Sequence, residues 1–289
     1  MSMKKNRHDD EVYILGSELP QNNGKISGKR KWIILSVCLA IIIIAALYVI
    51  FSTKEQTLEY YFEPEETPQQ SISTTITDNE NANQKGYIDT QEVTINNASL
   101  LLHIPYNATM SLELGLPDKS DSTIIFTTQA ADIRKDNKRI VGEFVLAGKQ
   151  LAQGIAKKGF CAVIDNSISI GTGNETPLLR QAIENNGYFF RQYPLVSNGI
   201  PIENNPVNKS IRRALAIRNE QVMMITSQDA LSFHEFSQAL VDMGVSDAIY
   251  LVGGNAYGWY YNKEPDRHEY GNERLDFPEY TSFIVWRTK

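Results

Sequence analysis

Three short stretches of this 289-residue chain combine residue types that could bind a polar ligand. The first is Asn185-Asn186-Gly187-Tyr188-Phe189-Phe190-Arg191, where a tight glycine turn feeds an aromatic strand. Such a strand could carry Asn186, Tyr188 and Arg191 to the mouth of a pocket. The second is Arg212-Arg213, directly ahead of an apolar strand. A guanidinium fork offers paired donors to phosphate or carboxylate oxygens. Adjacent strand residues point to opposite faces, so at most one of the two can face a given pocket. The third is Leu251-Val252-Gly253-Gly254-Asn255-Ala256-Tyr257-Gly258-Trp259. Paired glycines after a buried strand let backbone amides approach a ligand, and Tyr257 and Trp259 could stack on a sugar face. Each stretch also has a purely structural reading: a helix C-cap before a core strand, a solvated charge pair, and a glycine turn with core aromatics.

Other chemistries find little support. His103, His234 and His268 have no metal-ligand spacing, and neither do the two cysteines, Cys38 and Cys161. No metal or cofactor is therefore expected. There is no phosphate-binding P-loop and no G-x-S-x-G elbow. A net charge of −6 and a pI near 5.4 exclude a general nucleic-acid binder, which needs excess Lys and Arg. The charged stretch 264–273 reads as a solvated loop that could cover a pocket.

The elements that must hold these stretches are strands and helices in irregular order. Alternation of Val93 and Ile95, then Leu100, Leu102 and Ile104, predicts strands over 87–104. Residues 123–128 are a β-branched strand. Asp165-Asn166 and Asn219-Glu220 are turn pairs inside two hairpins, 160–170 and 214–226. Phe144, Leu151 and Ile155 suggest a helix over 142–158. Thr176-Pro177 starts another, with Leu178, Leu179, Ala182 and Ile183 on its buried side and Gly187 as its left-handed C-cap. A capping box, Ser232 to Glu235, opens a third helix that Gly244 closes. Strands follow at 248–252 and 283–286. Without regular βαβ alternation, the expected class is α+β: a mixed sheet with packed helices.

That domain, 86–289, is predicted to hang from a membrane. Residues 32–51, opened by Trp32 and closed by Phe51, form an unbroken apolar run matching a hydrocarbon core of ~30 Å. No small-x-small cleavage site follows, so the run reads as a single transmembrane signal anchor contacting the lipid bilayer. The tail 1–31 holds seven basic and four acidic residues, with Lys29, Arg30 and Lys31 abutting the run. The positive-inside rule puts this tail in the cytoplasm and the domain on the far side. Residues 52–85 are polar, with too little apolar area to fold, and read as a flexible linker.

In their order and spacing, residues 160–260 resemble the phosphodiester glycosidase family, domains like N-acetylglucosamine-1-phosphodiester α-N-acetylglucosaminidase. Asn186-Gly187-Tyr188-Phe189 matches the family's Asn-Gly-aromatic-Phe element. Arg212-Arg213-Ala214-Leu215 matches its Arg-Ser/Thr-Ala-aliphatic strand. The helix at 231–243 then leads into a strand that in the family reads Ala-Leu-Asn-Leu-Asp-Gly-Gly-Gly-Ser-Ser. Here it is Ala248-Ile249-Tyr250-Leu251-Val252-Gly253-Gly254-Asn255-Ala256-Tyr257. The resemblance implies a glycan or sugar-phosphodiester ligand, with Arg212, Arg213 and Asn186 as catalytic residues. It implies substrate contacts from Tyr188, Arg191, Gly253, Gly254, Asn255, Tyr257 and Trp259. It also points to membrane-anchored envelope proteins of Bacteroides-type bacteria, held in the inner membrane with the domain in the periplasm.

One departure bears on activity. The family's Asp of Asp-Gly-Gly is Val252 here, and its Ser-Ser pair is Ala256-Tyr257. Valine cannot accept a proton or stabilise an oxocarbenium, and glycoside cleavage usually employs two carboxyl groups. Either another acid serves (Glu184, Asp229, Asp266 and Glu269 are candidates), or the domain is an inactive module that binds a glycan or sugar phosphate.

Overall fold

Paired left-handed residues recur through the chain and turn it back on itself. Asp165 and Asn166 take φ of 49° and 64°, and Asn219 and Glu220 take 48° and 61°. Two consecutive positive-φ residues match the right-handed twist of flanking strands, so both sites close hairpins. The computed structural model describes residues 71–76, 85–262 and 266–289. Its strands are β1 (Ser71–Ile76), β2 (Tyr87–Ile95), β3 (Ala98–Tyr106), β4 (Ala108–Leu114), β5 (Ile124–Gln129), β6 (Phe144–Leu146), β7 (Lys149–Ala152), β8 (Gly159–Ile164) and β9 (Ser167–Thr172). Helix α1 (Pro177–Glu184) precedes β10 (Tyr188–Gln192), β11 (Pro194–Ser197), β12 (Ile200–Pro201), β13 (Arg213–Arg218) and β14 (Gln221–Ser227). Helix α2 (Phe233–Asp242) leads to β15 (Asp247–Leu251), β16 (Gly258–Tyr261), β17 (Arg267–Tyr270) and β18 (Ser282–Thr288).

These strands form three antiparallel sheets, ordered β1-β9-β8-β10-β6-β7, β12-β11-β15-β13-β14-β3-β2 and β17-β16-β5-β18-β4. The architecture is therefore mostly β, with two short helices among the described residues, and the expected helix-packed α+β class is corrected. The expected helix over 142–158 is the β6–β7 hairpin. Ala147 and Gly148 take φ of 46° and 77°, which no α-helix tolerates, and the chain reverses there. Strands β4, β11, β12, β16 and β17 also add sheet where no element was expected.

The expected membrane segment, 32–51, lies outside the described residues. Among those residues no helix is long and apolar enough to cross a membrane. Within the stretch read as linker, β1 pairs with β9 along its whole length, from Ser71 opposite Thr172 to Ile76 opposite Ser167.

Apolar faces of the sheets close on one another around Met110, Phe126, Phe144, Phe190, Leu215 and Trp286. Helix α2 packs Phe233, Phe236 and Leu240 onto Ala214, Ala216, Ile225 and Ala248 of the seven-stranded sheet. Full burial of a Phe or Leu contributes about 1.5–3 kcal/mol each. The start of α2 is set by its expected capping box: the Ser232 hydroxyl accepts from Glu235 N at 3.1 Å, and the Glu235 carboxylate accepts from Ser232 N at 2.8 Å. Helix α1 begins at the Thr176 N-cap and lays Ala182 against Val145, Phe160 and Phe189.

Candidate functional site

Antiparallel pairing brings three distant segments to one end of the seven-stranded sheet. Arg213 at the start of β13 lies opposite Leu251 at the end of β15. Tyr250 N donates to Tyr193 O at 2.8 Å, which brings in the residues just after β10. The turn after β15 must be glycine. A Cβ on Gly253 would collide with the Ile211 carbonyl oxygen and lie 2.5 Å from the Tyr250 hydroxyl. The turn amides already have protein acceptors: Gly253 N donates to the Tyr250 hydroxyl at 3.0 Å and Gly254 N to Ile211 O at 2.8 Å.

The two arginines face opposite ways, as strand geometry requires. Arg212 lies over the Phe233 ring at 4.1 Å, on the α2 side; its Nε donates to Leu231 O at 2.9 Å and its Nη2 to Asn208 O. Arg213 donates to Val252 O at 3.1 Å and Gly254 O at 3.3 Å, with its guanidinium 4.6 Å from the Tyr270 ring. Both arginines are buried, so each pins backbone from beneath. Burial also lowers the Arg213 pKa. Arg191 acts similarly: its Nε donates to the Glu143 carboxylate at 2.7 Å, and its Nη atoms to Gly173 O at 2.8 Å and Asn174 O at 2.7 Å.

Beside them lies a polar cluster that the sequence did not single out. The Lys157 side chain is 2% exposed and pairs with the Asp132 carboxylate. Its ammonium also donates to Gln192 Oε1 at 2.8 Å and lies 4.2 Å from the centre of the Tyr193 ring. Burial lowers the Lys157 pKa, against the opposing pull of Asp132. Tyr193 N in turn donates to Gln192 Oε1 at 3.0 Å. Burial pushes the Tyr250 hydroxyl up, and the Asp132 charge pushes it the same way.

Next to the glycine turn a cavity of about 330 Å³ opens to solvent. Gln129, Asn255, Asn272, Val252 and Phe277 are among its lining residues; the Asn272 Oδ1 accepts from Arg274 N at 3.0 Å, and the Lys138 ammonium lies 4.3 Å from the centre of the Phe277 ring. Arg274 is its cation, and Asp276 is the one carboxylate among its lining residues. Amides and a ring face suit a sugar, and a guanidinium suits a phosphate.

Of the residues singled out in the sequence, Asn255 lines this cavity, Gly253 and Gly254 form the adjoining turn, Arg213 braces that turn, and Arg212 braces the backbone at Asn208 and Leu231 instead. Asn186 and Tyr188 lie at the other end of β10, ~13 Å along the strand from Gln192. There Asn186, with φ of 53°, takes the left-handed position expected of Gly187. Gly187 is needed for a different reason: a Cβ would lie 2.5 Å from the Val163 carbonyl oxygen. Tyr257 and Trp259 are buried with Ile124, Phe283 and Val285, and the Tyr257 hydroxyl donates to Glu269 at 2.6 Å. Glu184, Asp229, Asp266 and Glu269 are not among the residues lining the cavity. His103 is buried between Phe126 and Tyr260, and burial lowers its pKa to about 3. Among the described residues no three His, Cys, Asp or Glu side chains gather as a metal site would require.

Residues 122–281 match the family model described as phosphodiester glycosidase. Among solved structures, the catalytic domain of zebrafish N-acetylglucosamine-1-phosphodiester alpha-N-acetylglucosaminidase, auto-inhibited by its pro-peptide, is similar with a TM-score of 0.53 at 11% identity. That alignment covers 76% of this chain and 89% of the zebrafish chain, and the likeness is one of fold. A hypothetical protein from Synechocystis aligns with a TM-score of 0.45 at 12% identity, over 69% of this chain and 61% of that one. No curated protein matches. The family match spans more than half of the chain and takes in β13, β15, the glycine turn and every cavity-lining residue, so the chain belongs to the phosphodiester glycosidase family.

Proposed function

We propose that this protein is a membrane-tethered hydrolase of the bacterial envelope that releases a sugar from a sugar-1-phosphodiester in an envelope glycan. The observation that carries this reading is the cavity beside the glycine turn, lined by Gln129, Asn255 and Asn272, residue types that suit a sugar, by Arg274, which suits a phosphate, and by Asp276 as a carboxylate. In this reading Arg274 holds the diester and Asp276 stabilises positive charge growing on the anomeric carbon. The departing phosphate monoester is a good leaving group, since its second pKa lies near ~6, and it needs no proton from a general acid. That reduces the demand for the second carboxyl group that ordinary glycosides impose. Residues 32–51 supply the tether in the inner membrane, with the basic tail in the cytoplasm and the domain in the periplasm, as in Bacteroides-type envelope proteins.

The test is hydrolysis of an aryl diester of N-acetylglucosamine-1-phosphate by the full-length protein in detergent. Turnover is expected, and Arg274→Ala should lower kcat/KM at least tenfold. Removing residues 32–51 should move the protein from the membrane fraction to the soluble one. A second reading is favoured by Val252, which stands where the family has its Asp: the domain binds sugar phosphates without cleaving them. A folded wild type that binds the diester but never turns it over would select that reading.

A further inference from the structure

Residues 133–140 turn back on themselves beside the cavity and carry basic side chains that lack carboxylate partners. Ile133 bridges to Ile140 at the base of this turn, and Ile133 lines the cavity. Between them run Arg134, Lys135, Asp136, Asn137, Lys138 and Arg139, four basic residues with one acid. Arg134 N donates to Arg139 O at 2.8 Å, which sets the two arginines opposite one another. Like charges directly opposite across a strand pair destabilise it. No ion pair among the described residues includes any of the four basic side chains. Elsewhere on the surface Lys119, Lys209, Arg267 and Arg287 each meet a carboxylate. A segment serving only to turn the chain has no need of opposed arginines.

The location adds a second, independent argument. The Lys138 ammonium lies 4.3 Å from the centre of the Phe277 ring, and Phe277 lines the cavity. Arg274, the cation of the cavity wall, also has no ion pair among the described residues. Turn and wall together hold five cations against two acids, Asp136 and Asp276. Asp132, just ahead of the turn, is taken by Lys157. Arg134, Lys135 and Arg139 are exposed. The chain as a whole carries a net charge of −6. Exposed charges are screened within about 8 Å at physiological salt, so the local excess of cations governs this place. A basic strip thus runs outward from the cavity wall on a protein that is acidic overall.

We infer that residues 134–139 extend the cavity into a binding strip for an anionic glycan polymer, one whose successive repeats each carry a phosphodiester. The inference deepens the glycosidase reading, on which it rests for the sugar phosphate in the cavity. Arg274 meets the phosphate of the repeat held in the cavity, and Arg134, Lys135 and Arg139 meet those of neighbouring repeats. Guanidinium and ammonium groups form charge-assisted hydrogen bonds to phosphate oxygens. Complementary charge also speeds encounter and sets register along a chain. A neutral glycan gains nothing from opposed arginines, and an isolated diester offers one charge where the strip offers several cations. The acidic remainder of the protein repels a broad anionic surface such as a bilayer, and it admits a narrow chain laid along the strip.

The experiment uses full-length protein in detergent and a fluorescently labelled synthetic oligomer of N-acetylglucosamine-1-phosphate, with a diester in every repeat. Anisotropy reads its binding, and displacement by the aryl diester of N-acetylglucosamine-1-phosphate gives the affinity for a single diester. At about 0.05 M salt the oligomer should bind at least tenfold more tightly than the aryl diester, and at about 0.5 M that advantage should shrink to within threefold. The variant Arg134→Ser/Lys135→Ser/Arg139→Ser changes three exposed side chains, and it should fold and lose the advantage. Lys85→Ser/Lys149→Ser/Arg180→Ser removes the same charge from exposed positions elsewhere and should keep it. A folded 134/135/139 variant that retains the advantage overturns the inference, and the glycosidase reading stands if the aryl diester is still turned over. Inorganic polyphosphate that binds as tightly as the oligomer, and does so equally in Arg274→Ala, also overturns it, by making the strip an anion surface independent of the cavity. Oligomer binding that depends on the strip, in a wild type that turns over neither ligand, upholds the inference and replaces cleavage by binding as the function of the cavity.

Discussion

The two ends of β10 lie ~13 Å apart on one strand, yet they solve different physical problems. At the Tyr188 end the constraint is backbone space. Gly187 passes against the Val163 carbonyl, and exposed Asn186 takes the left-handed conformation that ends the helical segment. At the Gln192 end the constraint is buried charge. Arg191 meets Glu143 and two carbonyls, and Lys157 meets Asp132, Gln192 and the face of Tyr193. Close backbone packing needs one residue type at one position, whereas buried charge needs partners from several segments. Only the second arrangement joins charged side chains from several segments, Lys157 with Asp132 and Arg191 with Glu143.

Mutations at the two ends should separate accordingly. Arg191→Met leaves the largely buried Glu143 and the carbonyls of Gly173 and Asn174 without their donor, and should cost about 3–5 kcal/mol in urea denaturation. At the other end Gly187→Ala forces a methyl group against the Val163 carbonyl, and should cost about 1–3 kcal/mol. A larger loss for Gly187→Ala than for Arg191→Met would break the comparison. Lys157 gives a smaller, pH-dependent effect. Its pKa is lowered in the folded state by burial, so between that value and the ordinary lysine value the unfolded chain binds more protons. Stability should therefore rise as pH climbs through that window and fall as pH drops back. Denaturation of wild type across the alkaline range should show the rise, and Lys157→Met should lack it. The smallest effect should come from Asn186→Gly. It preserves the left-handed conformation at an exposed position and should stay within ~0.5 kcal/mol of wild type in the same urea assay.

Local features of the sequence predicted local structure well. Asp165-Asn166 and Asn219 announce hairpins because Asp and Asn tolerate positive φ, and Ser232 with Glu235 announces the start of α2. The 142–158 segment misled because Phe144, Leu151 and Ile155 fit a helical face, while the deciding reversal rests on Ala147-Gly148, an unremarkable pair. The α+β class failed with it: short strands such as β12 and β16 carry too few residues to show alternation, and their pairing partners lie far off in sequence. The site divides the same way. The glycine turn at Gly253-Gly254 and the departure at Val252 are visible as a contiguous motif. Gln129 with Asp132, then Lys157, Gln192 and Asp276, come from four separated segments, and only the sheet pairings assemble them.

The glycosidase reading puts the reaction in the cavity beside the glycine turn and not at the Tyr188 end of β10. Kinetics of Arg274→Ala and Tyr188→Ala on the aryl diester of N-acetylglucosamine-1-phosphate, each measured on folded full-length protein, separate the two places. Arg274→Ala removes the cation of the cavity wall and should lower kcat/KM at least tenfold, while Tyr188→Ala should stay within threefold of wild type. Equal losses, or a larger loss at Tyr188, would contradict the glycosidase reading of this cavity.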